Sequence, residues 1–426
     1  MISLSPLSSM TVILSLIAMA FLALISRFYN KTWLEPGTFF LMIWFLFIII
    51  PAIVTPENPI YLLGIWYIFS FSLSLLLGSL AWNHLEPDRR IDNELKAGDQ
   101  LHSYTNTLFF WFGLFLFISI FGVVALVSFG INRYNLDTNI FSLSALPNLY
   151  YVDRDTGIFT LPWQVKGFMY FVYTASLLGG IIFRFLKDKR KLICLTPILI
   201  ALFYGLILAV RSGLLLSIIL WLAGWLGAKV LFKNYLFNFK TVMLAALSFM
   251  IFIMLFISVK WLRSGADDPF LIILLLDNAR ISLFGFISAF STWVKDYQYA
   301  GLAFGANTLS GPLDLFGIID REIGYYKENI FLAGKGYTNI YTAFRGLIED
   351  FSIPGSLIIG FAIGVLARIS FNKCCRSQFM WLIPLTLFYA FVLYSPIISL
   401  FNYNSVIMAW LITTVPLILI HKKLQL

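Results

Sequence analysis

The sequence predicts an all-α polytopic integral membrane protein, with about 11 spanning helices and one large outer loop before the last three. Composition is the first reason. Of 426 residues, 60% are hydrophobic and 12% charged, against about 25% charged in an ordinary soluble domain. A water-soluble fold always leaves a large outer surface and could not hide this much apolar side chain. The second reason is the recurrence of largely apolar runs of about 20 residues, the length needed to cross a bilayer. The third is the placement of Lys and Arg, which cluster in the short links between alternate runs and so orient the chain.

The runs fall at 9–28, 37–55, 59–81, 106–130, 163–186, 192–210, 212–231, 241–260, 352–370, 378–396 and 402–420. Backbone groups in hydrocarbon must be satisfied within their own segment, so each run is expected to be a helix. The first lacks a basic residue before it and is long enough to span, so it reads as a helix and not as a cleavable signal. With the N-terminus outside and the C-terminus inside, the inner links hold 18 of the 30 basic residues, among them Arg27, Lys31, Lys229 and Arg368. The short outer segments 56–58 and 397–401 hold none. The net charge of +9 is thus a membrane-topology signal, and no nucleic-acid partner is expected. The whole chain is read as one membrane domain, 1–426.

Two outer loops are substantial, 131–162 and 261–351. Within the larger, 270–290 is apolar enough to span. If it did, the following basic clusters would move outside, so the short-loop charge pattern favours a re-entrant or interfacial helix there. The loop mixes seven basic and ten acidic residues with interleaved aromatics and glycines. That mixture suits a carbohydrate, because aromatic faces stack on sugar rings and carboxylates bind hydroxyls. It equally suits a solvated loop with an interfacial aromatic belt.

Within these segments a few residues stand out. Arg280 lies in the apolar 270–290 segment with Asp277 three residues before it. Ionisable groups at membrane depth are costly and tend to be functional, although an i, i+3 ion pair would also account for the two. Arg211, followed by Ser212 and Gly213, stands at the outer end of the sixth run. There it would either hold a phosphate bidentately or snorkel to the interface. Residues 338–350 have the makings of a short helix on the membrane, with Arg345, Glu349 and Asp350 close together. They form either an arginine and a proton-accepting carboxylate or a surface ion pair. His84, His102 and His421 all fall on the inner side and the outer loops lack Cys, so no His- or Cys-ligated metal site is expected outside. Asp267 and Asp268 alone are weak evidence for a cation site.

The stretch Asn339-Ile340-Tyr341-Thr342, followed by Asp350-Phe351-Ser352 and Gly355, resembles the signature region of the bacterial oligosaccharide repeat-unit polymerases, the O-antigen polymerase (Wzy-type) family. That family has glycine where Ser352 stands. Arg211-Ser212-Gly213 is similar to its mid-chain arginine, and the plan of many spans with the largest loop before the last three helices is similar too. The resemblance implies a metal-independent, inverting glycosyltransferase of the C-type membrane superfamily in the bacterial inner membrane, with no cofactor. Donor and acceptor would be undecaprenyl-diphosphate-linked glycans at the periplasmic face. A chain-length regulator and a flippase would be partners, alongside the lipid bilayer. It implies Glu349 or Asp350 as proton acceptor and Arg211 and Arg280 as catalytic arginines on the departing diphosphate. Arg345, Tyr337, Asn339, Tyr341, Arg321 and Arg263 would bind substrate. The alternatives are the O-antigen ligase of the same superfamily, whose signature histidine near Tyr341 and Thr342 is missing here, and a lipid-linked oligosaccharide flippase or transporter, which would bury charges and broken helices mid-membrane.

Overall fold

The computed structural model describes residues 6–85, 105–156, 161–186, 189–233, 269–299, 301–319, 326, 328–333 and 336–425. The expected span 241–260, the candidates Arg263 and Arg321 and the pair Asp267–Asp268 lie outside the described residues. Among the described residues, eight helices are long and apolar enough to cross a membrane. Two shorter apolar helical stretches, Phe379–Tyr394 and Asn404–Ile420, follow them. The protein is therefore a helical, multi-spanning membrane protein. The chain forms two compact units, Met1–Asp92 with Leu276–Asn404, and Asn93–Leu275 with Ser405–Leu426.

In the first unit, α1 (Pro6–Asn30), α2 (Pro36–Val54) and α3 (Leu62–Leu85) match the first three runs. In the second, α4 (Thr105–Tyr134) runs four residues past the expected outer end of its span. The adjoining 131–162 segment, expected as a loop, carries α5 (Ile140–Leu143) and α6 (Leu146–Asp155). Buried Leu146 and Tyr150 dock α6 on Leu126, Tyr204 and Leu208. Helix α7 (Trp163–Phe183), a 3-10 turn continuing into α8 (Thr196–Ile207), and α9 (Ser212–Leu231) complete the described spans of that unit.

The expected helix 270–290 is two helices, α10 (Pro269–Phe284) and α11 (Phe286–Asp296), meeting at Gly285. Neither reaches the length needed to span. After a short α12 (Ser310–Leu315) comes an antiparallel hairpin that the period-based reading lacked, β1 (Ile330–Leu332) with β2 (Gly336–Thr338). The sequence suggests a flexible glycine entry at this point. Gly336 is instead a packed strand residue, where any Cβ would lie 2.4 Å from Asn278 Oδ1. Helix α13 (Thr342–Cys375) follows, then α14 (Leu382–Tyr394) and α15 (Asn404–Gln425).

Each unit is built on a crossing where backbones touch. In the first, a Cβ on Gly78 would meet Phe361 O at 2.1 Å and one on Gly364 would meet Leu75 O at 2.1 Å, so α3 and α13 are in direct main-chain contact. In the second, Gly180 faces Trp221 O and Gly224 faces Leu177 O in the same way, joining α7 to α9. In lipid there is no hydrophobic drive between helices, and small residues that permit close van der Waals approach supply the adhesion.

Candidate functional site

Helix α13 is two helices joined at Ser352, whose φ of 65° and ψ of 173° are non-helical. Residues 342–351 form a short helix, which starts four residues later than the expected 338–350 because Gly336–Thr338 is a strand, and 353–375 form the span. Such backbone is almost confined to glycine. Thr342, at the other end of the short helix, also has positive φ, 69°, a genuine outlier for a β-branched residue. Strained backbone thus brackets the short helix on both sides. The chain after the kink is helped by Pro354 in its first turn, and Ser352 Oγ accepts from Gly355 N at 3.5 Å.

The short helix is pinned from below by Phe344. Its ring is fully buried and lies 4.6 Å from Trp44, 4.8 Å from Phe71 and 5.5 Å from Tyr67, between rings of α2 and α3. The amide of Ala343 donates to Ser395 O at 2.7 Å and fixes its start. With that face committed, Arg345 is directed toward a cluster drawn from the rest of the long loop. Its guanidinium carbon lies 3.9 Å from the ring centre of Tyr326, 4.5 Å from Tyr341 and 5.0 Å from Trp293. Arg345 Nε donates to Glu349 Oε1 at 2.9 Å and Nη2 to Glu328 Oε2 at 2.8 Å. Its Nη1 is buried with no hydrogen-bond partner, a costly condition for a cationic donor. Arg345 is 6% exposed, whereas the side chains of Glu349 and Glu328 are 21% and 68% exposed. Burial pushes the Glu349 carboxyl above its ordinary value, against the opposing pull of Arg345. Burial also pushes the Tyr326 phenol up, reinforced by the nearby Glu349 charge, so it stays protonated.

Asp350 stands one residue on and does something different. It is fully buried. Oδ1 accepts from Asn307 N and Nδ2, both at 3.0 Å, and Oδ2 accepts from Thr308 N at 2.7 Å and Thr308 Oγ1 at 2.5 Å. A carboxylate this fully occupied has no lone pair to offer a substrate proton. It stitches the 303–308 turn to the end of the short helix, where Ala303 N and Phe304 N donate to the carbonyls of Glu349 and Asp350.

The remaining candidates divide. Asn339 Nδ2 donates to Tyr326 O at 3.2 Å and Tyr341 OH to Glu328 O at 3.1 Å, so both tie the hairpin exit to the segment that lines the arginine. Tyr337 is exposed and lies 4.7 Å from the Phe331 ring. Arg280 keeps the expected contact with Asp277 at 3.4 Å, but its closer partner is Glu57, to which Nη2 donates. Nη1 reaches Val54 O at 3.3 Å. The one positive charge of Arg280 is thus met by two carboxylates. Arg211 belongs to the second unit. It precedes α9, half-buried, on a turn where Arg154 donates to Leu208 O at 2.8 Å.

The sequence reading grouped Arg345 with Glu349 but missed that Trp293, Tyr326 and Glu328 converge on the same guanidinium. It also missed Asn307 and Thr308 as the partners of Asp350. No local motif marks these, because each partner lies 17 to 52 residues away in the chain. Comparison with protein-family models, with curated proteins and with solved structures returned no match.

Proposed function

We propose that the protein is a membrane glycosyltransferase that joins undecaprenyl-diphosphate-linked oligosaccharide repeat units into a surface polysaccharide. The observation that carries this reading is the Arg345–Glu349 pair. It sits on a strained short helix outside the span, beneath an aromatic cluster, and combines a buried unpartnered cationic N–H with a reachable carboxylate of raised pKa. Strain and perturbed ionisation tend to collect at functional sites, and aromatic rings beside carboxylates suit sugar recognition.

In this reading the acceptor hydroxyl attacks the anomeric carbon of the growing chain with inversion. Its proton passes to Glu349, and the bond to the undecaprenyl diphosphate breaks. A base whose pKa is lifted toward working pH takes a proton more effectively than an ordinary carboxylate. Arg345 Nη1 would donate to the departing diphosphate, whose charge grows as the bond breaks. Arg280 would assist only by exchanging Glu57 or Asp277 for phosphate oxygens. Asp350 holds the loop and takes no part in proton transfer.

The test is the length distribution of surface polysaccharide in the source cell after deletion of the gene. Collapse of the ladder to a single repeat unit is expected, with restoration by the wild-type gene and not by Glu349→Gln. Loss of even the one-repeat product would point to ligation or flipping, and an unchanged ladder would remove the polysaccharide reading altogether.

A further inference from the structure

The stretch between α11 and the hairpin has the chemistry of a segment immersed in lipid headgroups, although it belongs to the long loop. Residues 297–319 contain one charged side chain, Asp314, and that carboxylate accepts from Asn404 Nδ2 at 3.0 Å. Large apolar side chains nonetheless point outward. Phe304 and Phe316 are each 77% exposed and Ile318 66%. Water would penalise such exposure at about 25 cal/mol per Å².

The backbone is prepared for the same environment. Ala303 N and Phe304 N donate to carbonyls at the end of the short helix, and Asn307 N and Thr308 N donate to Asp350. Leu309, Phe316 and Ile318 donate to carbonyls within the stretch itself, at 2.7, 3.0 and 2.8 Å. Solvated loops can leave such groups to water, whereas backbone at membrane depth must satisfy them within the protein.

The level is fixed by attachment. Ser399 Oγ donates to Thr308 O at 2.6 Å, and a Cβ on Gly311 would lie 2.4 Å from Phe401 O. Residues 395–403 are the link between the apolar helices α14 and α15. The stretch is therefore held at the height where those helices end, which is where aromatic residues favour the membrane–water boundary.

We infer that residues 301–318 form an interfacial element that lies in the headgroup–acyl boundary of the bilayer and presents Phe304, Phe316 and Ile318 to lipid. Its occupant is the lipid surface, not a protein partner. The inference does not depend on the glycosyltransferase reading.

The full chain, with Cys194, Cys374 and Cys375 replaced by Ala, would carry a single cysteine at Phe304, Phe316 or the exposed polar reference Asn329. Each would be labelled with a nitrobenzoxadiazole probe and reconstituted alone into phosphatidylcholine–phosphatidylglycerol vesicles. Nitroxide-bearing lipid is expected to quench the labels at 304 and 316 at least about twofold more than the label at 329, with iodide showing the reverse order. Iodide quenching at 304 and 316 equal to that at 329, without lipid quenching, would overturn the inference. So would shielding from both quenchers, which would mean that a second copy covers the surface.

Discussion

Helix α13 carries an arginine near each end, each paired with a glutamate, and the two pairs are built to opposite specifications. Near its C-terminal end, Arg368 Nη1 lies 3.2 Å from Glu35 Oε1, with the side chains 8% and 0% exposed. Several nearby polar groups turn inward. Arg368 also donates to Asn30 at 3.0 Å, Thr38 N and Oγ1 donate to Glu35 at 2.8 and 2.7 Å, and Ser79 donates to the same carboxylate. At the other end, Arg345 is as buried as Arg368, but its glutamates stay within reach of the outside. A closed pair ties α1, α2, α3 and α13 together. An open pair on a strained helix retains groups that something else can complete. Burial of the arginine does not separate structure from chemistry here. Access to its carboxylates does.

The strongest way to break the comparison is to neutralise one carboxylate of the open pair. Glu349→Gln keeps the size and most of the packing. It should lower chain extension in vesicles by about 100- to 10,000-fold, the usual worth of a positioned base, while the thermal midpoint of the purified protein barely moves. Equal loss of protein and activity would make Glu349 a structural residue. The closed pair should respond in the opposite sense. Arg368→Ala leaves Glu35 buried without its cation and should cost about 3–5 kcal/mol of stability, seen as poor accumulation in the membrane and a lowered unfolding midpoint. Activity per folded molecule should change little.

Acidity sharpens the contrast next. Because burial raises the Glu349 carboxyl, extension should fall on acidification through a pKa above the ordinary carboxylate range. Removing the opposing cation by Arg345→Gln should move that limb to still higher pH. A rate that stays flat down to the usual carboxylate range would remove Glu349 as the base.

The smallest effect expected is at the kink. Ser352→Gly relieves a conformation that costs other residues about 1–3 kcal/mol, while replacing a serine cap by glycine loses only a few tenths. A net gain of about 1 kcal/mol should appear as a raised unfolding midpoint. A fall would show that the Ser352 hydroxyl does more than cap Gly355.

Much of this was legible before the structure. The stretch expected as a helix over 338–350 declares its i, i+4 pair Arg345–Glu349 through local spacing, although the helix starts only at Thr342. Pairing of Arg280 with Asp277 was equally local. What escaped were the long-range partners. Glu57, 223 residues from Arg280, and Glu328, Tyr326 and Trp293 around Arg345 lie on elements with no periodicity connecting them. Glu349 and Asp350 were interchangeable by type and position. Only Asn307 and Thr308, brought up from another part of the loop, separate them.

The sequence by itself determined the solvent, the class of fold and the bounds of most spans, because hydrocarbon demands largely apolar runs of a set length whose backbone is satisfied internally. Only the tertiary structure decided which arginine is closed off, which carboxylate remains open and which stretch of the long loop turns its phenylalanines outward. Those properties depend on what neighbours occupy the remaining hydrogen-bonding sites, and adjacency along the chain does not encode that.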